Sequence, residues 1–291
     1  MMPLRRFTIH QPHNLREASE MLAQFGEKGR LYAGGTELLL AMKHDLLRYE
    51  HLVDVKTISG LDRIERKDSA LHIGGIATHR AIENSRLVRE HFPFICEMER
   101  NVANVRVRAT GTLGGNLCFA EPHSDPANLL SALDARAKVQ GRSGERALAM
   151  DELIVGAYET SLAPDEILTG VEIPLPPKSQ KAAYLKFQIH ERPTLGLALV
   201  LDLDDSGRAI TKARAVVGCV SPKPCRSEKA ESLLVGERDK VEKQLADAAK
   251  ALADTADPVD DLEGSAEYKR HLIGVFLGRA FAKALSAATS M

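Results

Sequence analysis

Hydrophobic and polar positions along the chain follow two periods, one typical of amphipathic helices and one typical of strands. Residues 4–9 predict a short strand, and Asn14 precedes apolar residues at helical spacing. Asn is a favoured helix N-cap and glycine commonly ends a helix, so Asn14 and Gly26 bound the first predicted helix. Its apolar face consists of Leu15, Ala18, Met21, Leu22 and Phe25.

A glycine pair then stands between a strand and a helix. We predict a strand over residues 30–33, the pair Gly34-Gly35, a helix over residues 36–44 and another strand over residues 51–55. This order places a glycine turn directly before the start of a helix, which suits a nucleotide-binding loop.

The pattern restarts near residue 58 and mixes strands with helices. Thr78 and the pair Ser124-Asp125 are predicted caps, because short polar side chains bind the free amides of a first helical turn. The predicted helices cover residues 78–85, 92–102, 124–133 and 150–155, and the predicted strands cover residues 70–75, 137–140 and 167–174. A second glycine pair lies in the segment 110–116, which is interpreted as a loop.

Prolines divide the chain near residue 176. The segment 174–179 is a predicted linker, because prolines stop both helices and central strands. Behind it, residues 184–189, 195–202 and 210–220 predict a three-stranded antiparallel meander, followed by helices over residues 229–235, 241–253 and 267–288. The prediction is an α+β protein with two α/β subdomains at about 1–57 and 58–178, which form a first domain over residues 1–178, and a second domain over residues 182–291.

Composition excludes several classes of protein. The 291 residues are 44% hydrophobic and 27% charged, with a formal net charge of −1. A nucleic-acid-binding protein usually carries a basic excess, and a membrane-spanning helix needs ~20 apolar residues in a row. Neither feature is found, so we expect no nucleic-acid partner and no membrane span. The N-terminal residues contain no apolar signal segment, which predicts a cytoplasmic protein.

Cysteine and histidine spacing predicts no metal site. No C-x-x-C pair occurs, so we expect free thiols, packed mostly as small apolar side chains, at Cys96, Cys118, Cys219 and Cys225. Zinc-binding histidine spacings are also missing. Surface or strand positions are predicted for His10, His13, His72 and His79.

The two glycine pairs form a candidate anion site. They lie in Ala33-Gly34-Gly35-Thr36 and in Thr112-Leu113-Gly114-Gly115-Asn116. A backbone without Cβ atoms can approach a bulky anion, and the first amides of a following helix can bind a diphosphate. Neither segment matches the Rossmann or P-loop motif. Each pair alone is equally an ordinary turn, and only their combination with later residues makes the site specific.

A series of motifs in fixed order covers nearly the whole chain. It consists of Phe7 with Pro12, Ala33 to Leu38, Leu52 to Val55, His72 to Gly75, Val107-Arg108, Thr112 to Asn116, Ser124-Asp125, Leu133 to Ala135, Asp165 to Leu168, Tyr184 to Phe187, and Arg192. In these motifs the chain resembles the FAD-binding medium subunit of the molybdenum hydroxylases. That family includes carbon monoxide dehydrogenase, xanthine dehydrogenase and 4-hydroxybenzoyl-CoA reductase.

The resemblance implies an FAD-binding domain of the PCMH type, followed by a C-terminal domain of the CO dehydrogenase flavoprotein type. It also implies the cofactor-binding residues, which are Leu31, Tyr32, Ala33, Gly34, Gly35, Thr36, Glu37, Leu38, Ile73, Thr112, Leu113, Gly114, Gly115, Asn116, Asp125, Leu168 and Lys186. The two glycine segments would hold the diphosphate, and Lys186 would stabilise negative charge on the reduced flavin. From the residues alone, Lys186 is equally a solvated strand residue, and Ile73 and Leu168 are equally plain core residues.

Two departures from the family pattern qualify the resemblance. Ala109 stands where the family usually has Asn. The cysteine-rich insertion that holds an extra iron–sulfur cluster in 4-hydroxybenzoyl-CoA reductase is missing, since Cys118 is the only cysteine between Asn116 and Asp125. We therefore expect no such cluster in this chain.

The resemblance further implies an oxidoreductase subunit that transfers electrons and assigns it no catalytic residues. Electrons from a molybdopterin site on a large subunit would pass through [2Fe–2S] clusters on a small subunit to FAD and then to an external acceptor. The resemblance implies a dimer of heterotrimers. Two alternatives remain open: a stand-alone flavin oxidase or reductase on the same fold, and a nucleotide-binding scaffold subunit without a redox role.

Overall fold

Both strands and helices form the protein in a computed structural model, which describes residues 4–189 and 191–286. The strands are β1 (Thr8–His10), β2 (Gly29–Tyr32), β3 (His51–Asp54), β4 (Ile64–Lys67), β5 (Ala70–Gly74), β6 (Arg136–Gly141), β7 (Gly144–Ala149), β8 (Ile154–Gly156), β9 (Glu159–Thr160), β10 (Ile167–Pro174), β11 (Gln180–Gln188), β12 (Pro193–Leu203), β13 (Ala209–Gly218), β14 (Cys225–Arg226) and β15 (Gly236–Glu237).

Helices connect and cover these strands. They are α1 (Leu15–Phe25), α2 (Leu38–Lys43), α3 (His79–Asn84), α4 (Arg86–His91), α5 (Pro93–Arg100), α6 (Val105–Thr110), α7 (Leu113–Phe119), α8 (Asp125–Ala132), α9 (Met150–Leu153), α10 (Glu228–Leu233), α11 (Arg238–Thr255) and α12 (Ala266–Ser286). The mixture of helices and sheets confirms the predicted α+β class. Among the described residues, no helix is both long enough and apolar enough to cross a membrane.

The first of two compact units comprises Met1–Ala120 and Arg136–Ile173. It contains a parallel sheet in the order β1-β3-β2 and a five-stranded sheet in the order β4-β5-β10-β6-β7. The parallel sheet uses residues up to Asp54, and the second sheet begins at Ile64. The parallel sheet is therefore formed by one continuous part of the sequence, whereas the five-stranded sheet combines residues 64–74 with residues 136–174.

Helix α1 covers the parallel sheet as its apolar stripe requires. The Asn14 side chain accepts a hydrogen bond from the amide of Glu17, which confirms the predicted cap. Ala18 and Leu22 on the inner face pack with Val53 of β3 in a buried cluster. This packing fixes the position of β2, whose end carries the first glycine pair.

The second unit comprises Glu121–Ala135 and Pro174–Met291. Its sheet has the order β11-β12-β13-β14, with antiparallel pairing throughout and β15 added to β13, so the predicted meander is confirmed. Leu197, Leu199 and Leu201 alternate along β12 and enter a core cluster with Phe276 of α12 and Leu252 of α11.

Helix α8 belongs to the second unit although the chain on both sides of it lies in the first. Its Asn128 is fully buried against Gly196 of β12 and Gly218 of β13. A Cβ at Gly218 would overlap the Asn128 amide, so glycine is needed there for a close approach of helix and sheet. Asp134, just after the helix, pairs with Lys212 and with the almost fully buried Arg214 of β13.

Several short elements differ from the sequence prediction. Helix α2 begins at Leu38, two residues later than predicted, and the helices α4 and α6 and the strands β4 and β7 were not predicted. Helix α6 has alternating valines and arginines, which hide its helical character, and it begins because the Asn104 side chain binds the amides of Arg106 and Val107. Short helices of this kind depend on caps and tertiary contacts more than on apolar periodicity.

Candidate cofactor site

The first glycine segment is a turn between β2 and α2. Gly35 has a positive φ of 71°, a conformation that favours glycine, and its carbonyl accepts from the amide of Leu39 to start the helix. In the part of the chain that the structure describes, the amides of Gly34, Gly35, Thr36 and Glu37 donate to no protein group. Consecutive free amides at such a turn form a site for an anion.

Lys56 fixes this turn from one side, a contact that the sequence prediction missed. Its Nζ donates to the carbonyl oxygen of Ala33 at 3.1 Å and to Oδ1 of Asp54 at 2.6 Å. The same ammonium lies 3.8 Å from the centre of the Tyr32 ring, within cation–π distance. Tyr32 in turn lies against Gly35, since an added Cβ there would be 2.5 Å from Cε2 of the ring.

The two glycine segments lie side by side in the first unit. A Cβ added at Gly34 would overlap the carbonyl oxygen of Thr110 and lie 2.8 Å from Cα of Gly111. A Cβ added at Gly111 would lie 3.5 Å from Oγ1 of Thr36. The backbones of the two segments therefore touch, and this contact requires that Gly34 has no side chain.

The second segment is the first turn of α7 and not a loop, which corrects the sequence prediction. Thr112 is its N-cap, and its Oγ1 accepts from the amide of Gly115. The amide of Leu113 donates to Ala77 and the amide of Gly114 donates to Gly75. These amides are bound to protein because buried N–H groups need partners, so free diphosphate-binding amides were wrongly expected here.

Gly114 and Gly115 have different surroundings. A Cβ at Gly114 would lie 2.6 Å from the carbonyl oxygen of Gly75, so this glycine is needed for close packing within the protein. Gly115 is exposed, and a Cβ there would meet only Oγ1 of Thr112, at 2.8 Å. The backbone of Gly115 is therefore exposed, and a ligand can approach it closely.

Ile73 and Leu168 lie in neighbouring strands of the five-stranded sheet. They are 2% and 6% exposed, in β5 and β10. Gly75, two residues after Ile73, donates its amide to the carbonyl of Thr169, next to Leu168. Such deep burial agrees with the alternative interpretation that Ile73 and Leu168 are ordinary core residues.

Asp125 and Lys186 form a buried ion pair in the second unit. Nζ of Lys186 in β11 lies 2.8 Å from Oδ2 of Asp125, and the hydroxyl of Tyr184 donates to Oδ1 at 2.6 Å. The side chains of Lys186 and Asp125 are 14% and 5% exposed, so Lys186 is not the solvated strand residue of the alternative interpretation. Burial raises the pKa of Asp125, and the hydrogen bonds from Lys186 and Tyr184 oppose that rise.

Cysteines and histidines support no metal site in the residues that the structure describes. All four cysteines are free thiols, as predicted, and burial raises the pKa of Cys118 to about 11. His79 contradicts the prediction of a surface or strand position. It begins α3 and is 3% exposed, because its imidazole is hydrogen-bonded to the buried carboxylate of Glu99.

The first unit fits the diphosphate of a dinucleotide. It combines a turn with four free amides, a neighbouring backbone in contact through Gly34, and the ammonium of Lys56 beside the turn. Free amides and a nearby cation bind phosphate oxygens, and bare glycine backbone lets a bulky anion come close. These residues are compatible with the FAD that the sequence motifs imply.

Comparison with known protein families agrees with this site. Residues 5–176 match the family described as the FAD binding domain in molybdopterin dehydrogenase. Residues 184–284 match the CO dehydrogenase flavoprotein C-terminal domain. The two matches define the class of protein, an FAD-binding subunit of an oxidoreductase.

Individual relatives are similar over their whole length. The carbon monoxide dehydrogenase medium chain of Afipia carboxidovorans is 34% identical over 281 residues, which is 96% of each chain. A carbon monoxide dehydrogenase structure from Hydrogenophaga pseudoflava, which lacks the Mo-pyranopterin moiety of the molybdenum cofactor, matches with a TM-score of 0.91 and 30% identity over 97% of this chain and 98% of that chain. Quinoline 2-oxidoreductase from Pseudomonas putida 86 matches with a TM-score of 0.91 and 27% identity over 99% and 100%.

This chain belongs to the family of FAD-binding medium subunits of the molybdenum hydroxylases, of the carbon monoxide and xanthine dehydrogenase type. The resemblance stated from the motifs is thereby confirmed, as are the oxidoreductase class and FAD as the cofactor. The individual residues that bind FAD remain a prediction.

Replacing Lys56 with Met should weaken FAD binding about threefold to tenfold, or about 0.7–1.4 kcal/mol. The variant loses the hydrogen bond to the Ala33 carbonyl, the contact with the Tyr32 ring and one positive charge beside the turn. Its free energy of unfolding should change by less than about 1 kcal/mol, because the Lys56 side chain is 43% exposed. Titration of the apoprotein with FAD measures the first quantity, and chemical denaturation the second.

Lys28→Met is the matched control, since Lys28 is also a lysine of the first unit and its ion pair with Glu50 is exposed. Lys28→Met also removes one positive charge, but at a position outside the turn, so the affinity for FAD should stay unchanged. Equal affinities of both variants would remove Lys56 from the site.

Proposed function

We propose that this chain is the electron-transfer subunit of a multi-subunit molybdenum hydroxylase. It would receive electrons from [2Fe–2S] clusters of a small subunit, which are supplied by a molybdopterin site on a large subunit, and deliver them to an external acceptor. The observation that carries the proposal is the turn at Gly34 to Glu37, with four free amides next to the second glycine segment. Membership of the family supports the remaining parts.

The residues of the first unit would hold the cofactor by its diphosphate. The amides of Gly34 to Glu37 would donate to phosphate oxygens, and Lys56 would keep the turn in place. The wider set predicted from the motifs includes Leu31, Tyr32, Ala33, Leu38 and Asn116. The exposed Gly115 would contribute an approachable surface and not amides.

Bound FAD supplies a centre that exchanges electrons singly or in pairs, which can connect one-electron clusters to a two-electron acceptor. The sequence motifs also predict Asp125 and Lys186, which belong to the second unit, as cofactor-binding residues. Because Lys186 is paired with Asp125, the two side chains together carry little net charge. Any electrostatic effect of Lys186 would therefore depend on the state of Asp125.

The substrate of the assembled enzyme is proposed to be selected on another subunit. The names of similar proteins refer to carbon monoxide, quinoline, nicotine and caffeine, although all align with nearly the whole of this chain. Because enzymes with such different substrates share this subunit, a common role in electron transfer is supported. The division into domains over residues 1–178 and 182–291 and the cytoplasmic location are part of the same proposal.

Purified full-length protein should be yellow and should release unmodified FAD when it is denatured. The free amides of the first turn give the apoprotein a site for the cofactor, so colourless protein should take up added FAD. Absorption spectra and chromatography of the released flavin measure both results. Protein that neither contains nor takes up FAD would contradict the proposal and favour a scaffold without a redox role.

Assembly distinguishes the electron-transfer subunit from a stand-alone flavin oxidase or reductase. The isolated chain should not oxidise small organic substrates, whereas co-expressed small and large subunits should give dye-coupled turnover. Substrate oxidation by the isolated, FAD-containing chain would favour the stand-alone enzyme.

A further inference from the structure

A buried imidazole–carboxylate pair lies in the first unit, outside the set of predicted cofactor-binding residues. Nδ1 of His79, at the start of α3, lies 2.7 Å from Oε2 of Glu99 in α5. The side chains are 3% and 1% exposed. Polar groups this deeply buried cost free energy unless they are hydrogen-bonded, so the pair fixes the imidazole in one place.

The imidazole of His79 lies directly against Gly111, the residue before Thr112. The backbone amide of His79 donates to the carbonyl oxygen of Gly111 at 3.1 Å. A Cβ at Gly111 would lie 3.2 Å from Cδ2 of the His79 ring and 3.5 Å from Oγ1 of Thr36. Contacts therefore run without interruption from Glu99 through His79 and Gly111 to the first glycine segment.

A second ion pair ties the same helix to α6. Glu83, one turn after His79 in α3, lies 3.2 Å from Nε of Arg108, and both side chains are 14% exposed. Nη1 of Arg108 also donates to the carbonyl of Val102 at 3.0 Å. Helix α6 ends at Thr110, whose carbonyl touches Gly34, so α3 holds the backbone on which the first segment rests.

We propose that His79 and Glu99 are positioning residues for the binding of the dinucleotide diphosphate. Through Gly111, the pair holds the backbone of residues 110–112 at the distance that leaves the Gly34 to Glu37 amides correctly placed. The inference rests on the proposed FAD-binding role of these amides. It goes beyond that role by assigning a function in ligand affinity to two side chains that do not touch the ligand.

The test compares apoproteins of the full chain by their affinities for FAD and for ADP. ADP contains the adenosine and the diphosphate of FAD but no flavin. Glu99→Ala should weaken the binding of both ligands about tenfold, or about 1.4 kcal/mol, because the unpartnered imidazole no longer fixes Gly111. Glu99→Gln should stay within about threefold of the wild type, since its amide oxygen still accepts a hydrogen bond. This rescue separates the hydrogen bond from the size of the side chain.

Ser19→Ala is the control for a general loss of stability. It removes the hydrogen bond of another buried side chain in the first unit, from the Ser19 hydroxyl to the carbonyl of Asp165. Thermal unfolding should reveal a loss of stability in this variant, while FAD and ADP bind as in the wild type. Equal weakening of binding in Ser19→Ala and Glu99→Ala would overturn the proposal.

Gly111→Ala keeps the proposal testable if Glu99→Ala does not fold. The new methyl group would press on the His79 ring and on the carbonyl oxygen of Val107, 2.9 Å away. It should weaken the binding of FAD and of ADP to a similar extent as Glu99→Ala. Wild-type affinity in folded Glu99→Ala or Gly111→Ala would overturn the inference while leaving the proposed function intact. Failure of the wild-type apoprotein to bind FAD would contradict the proposed function itself, and the inference with it.

Discussion

Apoprotein carrying Gly34→Ala is expected to bind FAD at least about tenfold more weakly than the wild type, or about 1.4 kcal/mol. The added methyl group would overlap the carbonyl of Thr110 and lie 2.8 Å from Cα of Gly111. Both obstacles are backbone atoms, which cannot rotate away as a side chain can, so the two segments must separate. Overpacking of this kind also costs about 1–3 kcal/mol of stability. Titration with FAD and chemical denaturation measure the two effects.

Gly156→Ala is the matched control for this prediction. Gly156 also lies in the first unit, but its new Cβ would meet only the Glu159 side chain, at 3.1 Å from the flexible Oε2 end and at an ordinary contact distance of 3.7 Å from Cβ. Its affinity for FAD should equal that of the wild type. If folded Gly34→Ala also retained that affinity, contact between the two segments would have no part in cofactor binding.

Lys186→Met is expected to lower the free energy of unfolding by about 3 kcal/mol, because it leaves the buried carboxylate of Asp125 without its cation. The hydroxyl of Tyr184 would still donate to this carboxylate, which is 5% exposed, but no positive charge would balance it. The pKa of Asp125, already raised by burial, should rise further. In the FAD-loaded protein, loss of the positive charge should also make the flavin reduction potential more negative.

The double variant Asp125→Asn with Lys186→Met separates charge from contact. Its net charge equals that of the original ion pair, and the Asn oxygen still accepts from Tyr184. It should recover most of the lost stability and should keep the potential near that of the wild type. Lys229→Met, at an exposed position of α10, controls for removal of one charge. An unchanged potential in the single variant would limit Lys186 to a structural role.

Much of the secondary structure was predictable because its signals are local. The Asn14 cap and the apolar face of α1 predicted that helix, and alternating leucines predicted β12. The α+β class and the antiparallel meander followed from the same patterns. Short helices such as α4 and α6 carry no such signal, since their few residues depend on caps and on contacts with other elements.

The candidate site was predictable in kind but not in detail. The motif around Gly34 and Gly35 indicated a diphosphate site, and the free amides of that turn agree with it. The equivalent expectation for Gly114 was wrong, because the amides of that turn are bound to Gly75 and Ala77, residues about 40 positions away in the sequence. No spacing rule could have joined Lys56 to Ala33 or His79 to Glu99.

By itself, the sequence determined the α+β class, the glycine turn between β2 and α2, and membership of the flavoprotein family, since caps, periodicity and ordered motifs are properties of neighbouring residues. Only the tertiary structure decided which amides stay free, which carboxylates are buried and which cations stand beside them. Those properties depend on burial and distance between residues remote in the chain. Hydrogen-bond satisfaction and desolvation therefore separate the Gly34 turn from the Gly114 turn, although both contain the same glycine pair.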